Sequence, residues 1–459
     1  MLQTMINAWK IADLRKKILF TAFIILVFRV GSAITIPFVD IAKDGIIPNV
    51  ASDNSFMSYL SMMTGDAFNY ATILAMSITP YINSSIIMQL LAVAIPALER
   101  LQKEGEEGRK KIATITRYVT IGLGLMQSVA YYFYLKNQGY LLMQSNGQSF
   151  VGFEGVLQAL VIILTLSAGA GLTMWLGERI NVNGIGNGVS MILFAGIVAR
   201  IPRLVASLYS PNPQVGYIAR GGLWVPLALL AGIALLAMVA FIVWMDNAER
   251  RIPVQYTKHV VGRKMYGGQS SHIPIKVNMS GVMPVIFASS ILSLPPTINM
   301  FLNQNTIKEG WKTFFGFFQQ TNPVYAVIYF VLIIGFAYFY ASIQYDPTEM
   351  SNNIRNNHGM IPGYRPGEPT ANYIRRILSR ITLLGALLLS VVALFPIIFS
   401  LLSSLALNLT YPTGDPDHKL TMTIAMGGTS IIIMVGVALE TVKQLESQMM
   451  LRHYKGFLD

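Results

Sequence analysis

The sequence predicts an all-α polytopic membrane protein, with ten transmembrane helices arranged as two pseudo-symmetric five-helix halves. Three observations carry that prediction. Of the 459 residues, 53% are hydrophobic and only 12% are charged, and the mean hydropathy is +0.51; soluble domains carry roughly 25% charged residues. The apolar residues gather into ten long runs. The basic residues lie mainly between those runs, and mostly on one side.

A hydrocarbon core about 30 Å thick takes roughly 20 apolar residues per helix. The runs are Ile18–Pro37, Ala71–Ile95, Thr114–Leu135, Glu154–Trp175, Ile185–Ile201, Leu223–Trp244, Met279–Leu302, Pro323–Tyr345, Ile381–Ser404 and Thr421–Thr441. In lipid each backbone N–H and C=O needs a partner within its own segment, so continuous runs of this length are helices. A membrane β-barrel would instead show alternating segments of about ten residues. Arg15, Lys16 and Lys17 before the first run resemble the start of a signal peptide, but Arg29 interrupts the apolar stretch and Pro37 ends it. No small-x-small cleavage site follows, so the run is read as a span.

Orientation follows from Lys and Arg. With the N-terminus in the cytoplasm, 25 of the 34 basic residues lie on the cytoplasmic side and 8 outside, with Arg29 inside a span. An even number of spans puts the C-terminus in the cytoplasm too. Five spans on each side of the loop around Ser210–Gly222 divide the chain into residues 1–210 and 211–459. An odd number per half gives the halves opposite orientation, the arrangement of inverted repeats; the symmetry is inferred from the count, not from residue similarity.

Several function classes fall away. With no cysteine there is no disulfide framework or thiolate metal site, and the five histidines make no ligand-spaced pair. A GxxxxGK[ST] phosphate loop is absent, so the energy for any work comes from a partner, and neither cofactor nor metal is expected. A solute transporter would use broken helices and inverted repeats, but with ionisable groups near the midplane; Arg29 and Glu440 are the candidates here. An intramembrane enzyme would need a catalytic dyad in a span, which the runs do not supply.

The informative stretches are loops and interrupted helices. The segments 246–278 and 346–380 carry Arg250, Arg251, Lys258, Arg263, Lys264 and Lys276, then Arg355, Arg365, Arg375, Arg376 and Arg380. Their charge fits the ordinary cytoplasmic excess, or a docking surface for an anionic partner such as RNA or an acidic protein face. Their length favours docking, and Gly359, Pro362, Gly363, Pro366, Gly367 and Pro369 imply a shaped turn. Pro80 is expected to kink the second run, whose Asn83, Ser84 and Ser85 need internal partners. The seventh run has the same character in Asn278, Ser280, Pro284, Ser289, Ser290 and Ser293. Such helices either pack their polar groups against neighbours or line an aqueous path. Met57–Phe68, on the outer side, is a surface loop or a re-entrant segment. Gly184, Gly186 and Gly188 follow no strand, so they read as a hinge and not as a dinucleotide fingerprint.

Those stretches resemble the SecY family of protein-conducting channels. WLGERINVNGIGNGVSMILFAGI (Trp175–Ile197) and ILAMSITPYINSSII (Ile73–Ile87) are similar to its two hallmarks. Lys103–Ile112, Arg250–Leu292, Ile361–Thr370 and Gly427–Gln448 match further family segments in order. The resemblance implies an hourglass pore that opens sideways toward lipid. It conducts unfolded polypeptides and releases transmembrane segments into the bilayer, without enzymatic activity of its own. Carried over by position, the narrow pore ring is Ile78, Ile82, Val189, Leu193, Ile286 and Ile433. The plug is the segment 57–68, with Met57, Met63, Thr64, Gly65, Asp66, Ala67 and Phe68. Asn83 and Leu294 match the lateral gate, and Arg263, Lys264, Lys276 and Arg365 match positions that dock the SecA ATPase or the ribosome. SecE and SecG are the implied membrane partners, with unfolded preproteins and their signal sequences as substrates and the bacterial inner membrane as location. Two departures stand out. Thr64–Gly65–Asp66–Ala67 replaces the usual Ser-Gly-Gly-Ala, and Met76–Ser77 replaces the commoner Leu-Gly. An acidic plug residue is expected to be solvated.

Overall fold

The computed structural model describes residues 2–39, 61, 64–137, 139–142, 152–209, 224–256, 259–261, 264–266, 270–301, 309–318, 322–410 and 428–455. Each of the ten predicted runs holds helix, in whole or in part. A short helix α1 (Leu2–Lys10) precedes α2 (Ala12–Gly31), the first run. Then come α3 (Thr79–Ala94), α4 (Pro96–Lys103), α5 (Glu106–Asn137), α6 (Phe153–Asn183), α7 (Gly188–Val198), α8 (Ile201–Tyr209) and α9 (Trp224–Asn247). Strands β1 (Glu249–Tyr256), β2 (His259–Val261), β3 (Lys264–Tyr266) and β4 (Ser270–Lys276) follow. The chain continues through α10 (Met283–Leu292), α11 (Leu294–Phe301), α12 (Glu309–Gly316), α13 (Pro323–Gln344), α14 (Pro347–Asn356) and β5 (Gly359–Met360), and finishes with α15 (Glu368–Thr410) and α16 (Gly428–Lys455).

Among the described residues, five helical segments are long and apolar enough to cross a membrane, and α3 with α4 adds a sixth if that bent pair is one span. The remaining runs are shorter, broken or more highly charged. Their packing separates wall from centre. Only 22% of the apolar stretch of α9 is buried inside the protein, against 56% for Gly428–Met450 in α16. Leu229, Leu230, Ile233 and Leu236 of α9 project outward, a surface that water would penalise and lipid does not. Helix α16 is enclosed instead, packing on α7, α9, α15 and α1. Helix α11 packs on α5.

Three expectations need correction. The second run is not helical throughout: Ala71–Ser77 forms turns, with Ala71 and Ser77 at positive φ. This segment pairs with the chain leaving α2 instead, through Ile73 N to Ile34 O (2.9 Å) and Ile36 N to Ala71 O (2.9 Å). Pro80 therefore starts α3 rather than kinking it, at a position where a missing N–H costs nothing. The sharp bend, 106°, falls at Pro96, between Thr79–Ala94 and Pro96–Gln102.

The segments 246–278 and 346–380 are not loops alone. Strands β4, β1 and β5 form an antiparallel sheet in that order, joining the two segments, and β2 pairs with β3. The signal was present in the alternation of β1, where Ile252 and Val254 face inward between exposed neighbours. They pack with Ile275, Ile354, Ile361, Ile374 and Leu378 as a separate small core. Helix α15 begins 13 residues before the predicted ninth span and so carries that core into the membrane. Residues 421–427 of the tenth run lie outside the described residues.

Glycines set the closest approach of α6 to α7. A Cβ on Gly188 would overlap the Gly177 carbonyl oxygen and press on Ile180. Because that contact is backbone, it has little room to yield. We expect Gly188→Val to destabilise the fold by about 1–3 kcal/mol, as overpacked cores do, seen as a lower unfolding temperature in detergent. An unchanged temperature would mean that α6 and α7 can separate freely.

Candidate functional site

The six predicted ring residues come from four helices. Ile78 precedes α3 and Ile82 lies one turn in; Val189 and Leu193 share a face of α7 at i, i+4; Ile286 is on α10 and Ile433 on α16. All six belong to one apolar cluster. Ile78, Leu193, Ile286 and Ile433 are 1–6% exposed, while Ile82 and Val189 are half-buried against the same cluster. Those of α3, α7 and α10 lie at or within the first two turns of their helices.

Polar side chains position this cluster. Asn187 caps α7 by accepting from Val189 N (3.1 Å) and Ser190 N (3.5 Å). Asn181 Oδ1 accepts from Gly188 N (2.7 Å), and Thr21 Oγ1 from Ile185 N (3.0 Å). Thr441 Oγ1 meets Met191 Sδ at 3.6 Å, tying α16 to α7. Gly186, at φ +83°, makes the reversal. The glycine run is the tight turn expected of it. Gly177 leaves room for Ile78, whose Cδ1 would lie 3.4 Å from a Cβ there. Sequence reasoning missed Thr21, Asn181 and Gly177; their roles appear only when distant turns meet.

The predicted plug lies partly outside the described residues, which omit Met57 and Met63. The part described is packed. Thr64, Ala67 and Phe68 are buried. Tyr131 Oη donates to Phe68 O (2.6 Å), and the two rings lie 4.5 Å apart. Asp66 contradicts the expectation of a solvated carboxylate: it is 8% exposed. Its Oδ1 accepts from Ser61 Oγ (3.0 Å) and lies 3.2 Å from Arg200 Nε. A buried carboxylate can persist when a cation and a hydroxyl replace its water.

Of the predicted gate residues, Leu294 is half-exposed at the start of α11. Asn83 is partly buried on α3, its Oδ1 without a hydrogen-bond partner among the described residues. Thr79 Oγ1 and Ser77 Oγ share that condition, so polar groups collect along one short stretch. The serines do not extend it. Ser84 donates to Pro80 O (2.8 Å), Ser289 to Ile286 O (2.9 Å) and Ser293 to Ser290 O (2.6 Å), each within its own helix or turn.

Of the predicted docking residues, Lys276 is exposed at the end of β4, opposite Glu249. Lys264 lies in β3, and Arg263 is outside the described residues. Arg365 is exposed on a rigid turn. Thr370 Oγ1 donates to Arg365 O (2.8 Å), Ser351 Oγ to Gly367 O (2.7 Å), and Tyr364 stacks on Tyr373 at 4.2 Å. Gly363 and Gly367 supply positive φ. Helix α14, which bears Ser351, is capped by Asp346, whose Oδ1 accepts from Thr348 N (2.8 Å). The backbone N–H of Thr348, helped by its hydroxyl and by the Glu349 N–H, holds the Asp346 carboxyl below the usual range.

The family comparison now has its geometry. The SecY family model matches residues 72–442. The chain belongs to the SecY family. The protein translocase subunit SecY of Streptomyces scabiei is 40% identical over 461 residues, covering 100% of both chains. That of Mycobacterium tuberculosis is 39% identical over 472 residues, again covering 100% of each. Among solved structures, a protein-conducting channel superposes with a TM-score of 0.61 at 17% identity, covering 94% of this chain and 92% of the other. Sec61 in the canine ribosome–channel complex from the endoplasmic reticulum gives 0.57 at 15%, with coverage of 94% and 92%. The fold is that of the SecY and Sec61 channels, and the chain is a protein-conducting channel subunit of a membrane translocase.

The cap at Asp346 makes a prediction for the segment 346–380. A folded carboxyl pKa below its unfolded value stabilises above the unfolded value and ceases to do so as pH falls through the folded one. Asp346→Ala is expected to cost about 1 kcal/mol at neutral pH, seen as faster limited proteolysis within 346–380. That difference from wild type should vanish in strong acid, and one that is the same at all pH would contradict the capping role.

Proposed function

We propose that the six aliphatic side chains form the constriction through which unfolded preproteins pass, and that the chain is the central subunit of the general secretion translocase. The observation supporting this is that Ile78, Ile82, Val189, Leu193, Ile286 and Ile433, from four helices, all belong to or pack against the main apolar core. A narrow apolar neck closes by dewetting and so resists ion flow. It grips a passing chain only by dispersion, so it yields to any sequence.

The two halves, residues 1–210 and 211–459, part at the α5–α11 seam, where Asn83 and Leu294 face the lateral gate. A sufficiently apolar segment leaves there toward lipid, because charged groups at the bilayer centre cost about 2.5–3.5 kcal/mol on insertion scales. The segment 57–68 is the plug. The reading places the chain in the bacterial inner membrane with both termini cytoplasmic, beside SecE and SecG. Arg263, Lys264, Lys276 and Arg365 are the docking points for the SecA ATPase or the ribosome, which supply the work; Lys276 stands at the end of β4 and Arg365 on the turn after β5. The basic excess at this face is the supporting observation.

Arresting a secreted chain in the reconstituted translocase, with a photoreactive residue in place of Ile82 or Ile286, tests the path. Cross-links to the arrested chain are expected; cross-links confined to lipid and neighbouring helices would refute the assignment. Ile286→Asn should raise resting ion leak several-fold, because a polar side chain lets the neck stay wet.

A further inference from the structure

Asp66 stands where the family resemblance leads one to expect glycine, and the structure surrounds it with positive charge. It follows Gly65, and both have left-handed φ, +65° and +70°. Asp66 N donates to Ser61 O (2.9 Å), and Thr64 Oγ1 accepts from Phe68 N (3.2 Å). The segment thus makes a tight turn with the carboxylate at its apex. That apex is pressed between two helices. A Cβ on Gly65 would lie 2.6 Å from Gly196 O of α7 and 2.9 Å from Arg29 Nη1 in the last turn of α2.

The charges are arranged unequally. Arg200, just after α7, has Nε 3.2 Å from Asp66 Oδ1, and both side chains are largely enclosed, at 14% and 11% exposure. Arg29 Nη1 is buried without a hydrogen-bond partner among the described residues. Two guanidiniums therefore face a segment bearing one carboxylate. Moving that segment outward takes the carboxylate from Arg200 and leaves buried cations with less compensation. Removing one partner of an enclosed ion pair costs far more than the pair contributes. Dispersion contacts, such as Phe68 on Tyr131, can be lost gradually; this penalty arises as soon as the pair parts.

We infer that Asp66 and Arg200, backed by Arg29, form a charge latch that holds the segment in its seat and sets how often the resting channel opens. The latch rests on the channel reading above. It makes Arg29, which interrupts the first predicted span, part of the closed state rather than a solute site. Ser61 and the left-handed turn orient the carboxylate. Gly65 keeps the backbone close enough to α7 for the pair to form.

The test uses the full-length chain in the reconstituted translocase. Since the chain has no cysteine, Ala67→Cys introduces a single thiol at a site 1% exposed, and maleimide labelling from the outer side reports unseating. Asp66→Asn keeps the shape and tolerates the same φ, so it removes only charge. We expect Asp66→Asn and Arg200→Gln each to raise both resting ion leak and thiol labelling at least about tenfold. Arg200→Lys, which keeps the charge, should stay nearer wild type. Transport of a signal-bearing precursor, measured on the same vesicles, should survive in all three, and its survival speaks for the channel reading independently. Wild-type leak and labelling in both Asp66→Asn and Arg200→Gln would overturn the latch, as would Arg200→Lys leaking as much as Arg200→Gln.

Discussion

Backbone left unpaired in lipid is costly, and this constraint organises the molecule. Helices that face the bilayer, such as α9 and α13, run unbroken through their apolar stretches. The interruptions fall elsewhere. Ala71–Ser77 before α3, the turn into α7, the break between α7 and α8, and the step between α10 and α11 all adjoin the enclosed cluster or its polar neighbours. Irregular chain is tolerated there because protein, not lipid, surrounds it. Ile78 and Val189 stand at helix starts because α3 and α7 begin late in their runs. Had the second run been helical from Ala71, Ile78 would lie mid-helix instead of at its N-cap, φ −94° and ψ 2°.

The proposed ring and the proposed latch close the channel by different physics. The aliphatic cluster contributes through area removed from water, which is non-directional and gives way progressively. Asp66 with Arg200 contributes a local, directional restraint whose strength depends on exclusion of water. Tyr131 adds a further hold on the Asp66 turn by placing its ring on Phe68 and its hydroxyl on the Phe68 carbonyl. A channel that must be tight at rest and permissive in use benefits from having both.

The face that bears β1, β4 and β5 obeys a further rule. Its basic side chains stand on a sheet and turn with their own small core, joined to the membrane through α15. Asp246 Oδ1 accepts from Asn278 Nδ2 (2.7 Å), closing the base where α9 leaves and the chain returns toward α10. A force applied to Arg365 or Lys276 therefore reaches the spans through stiff elements rather than through slack loop.

Much was legible in the residues themselves. Hydropathy placed helix in all ten runs, because the bilayer imposes length and apolarity locally. The bias of Lys and Arg gave an orientation for the same local reason. The glycines of Gly184–Gly188 announced a turn. What the residues could not show is what meets across distance. Pro80 reads as a kink until the pairing of Ile73 with Ile34 ends the helix before it. Asp66 reads as solvated until Arg200, 134 positions away, is brought beside it. Strand β1 reads as loop until β4 and β5 supply its hydrogen bonds. Partition between water and lipid is a property of each segment and is written in its composition; the pairing of a buried charge or a strand is a property of two segments, and only the tertiary fold decides which two.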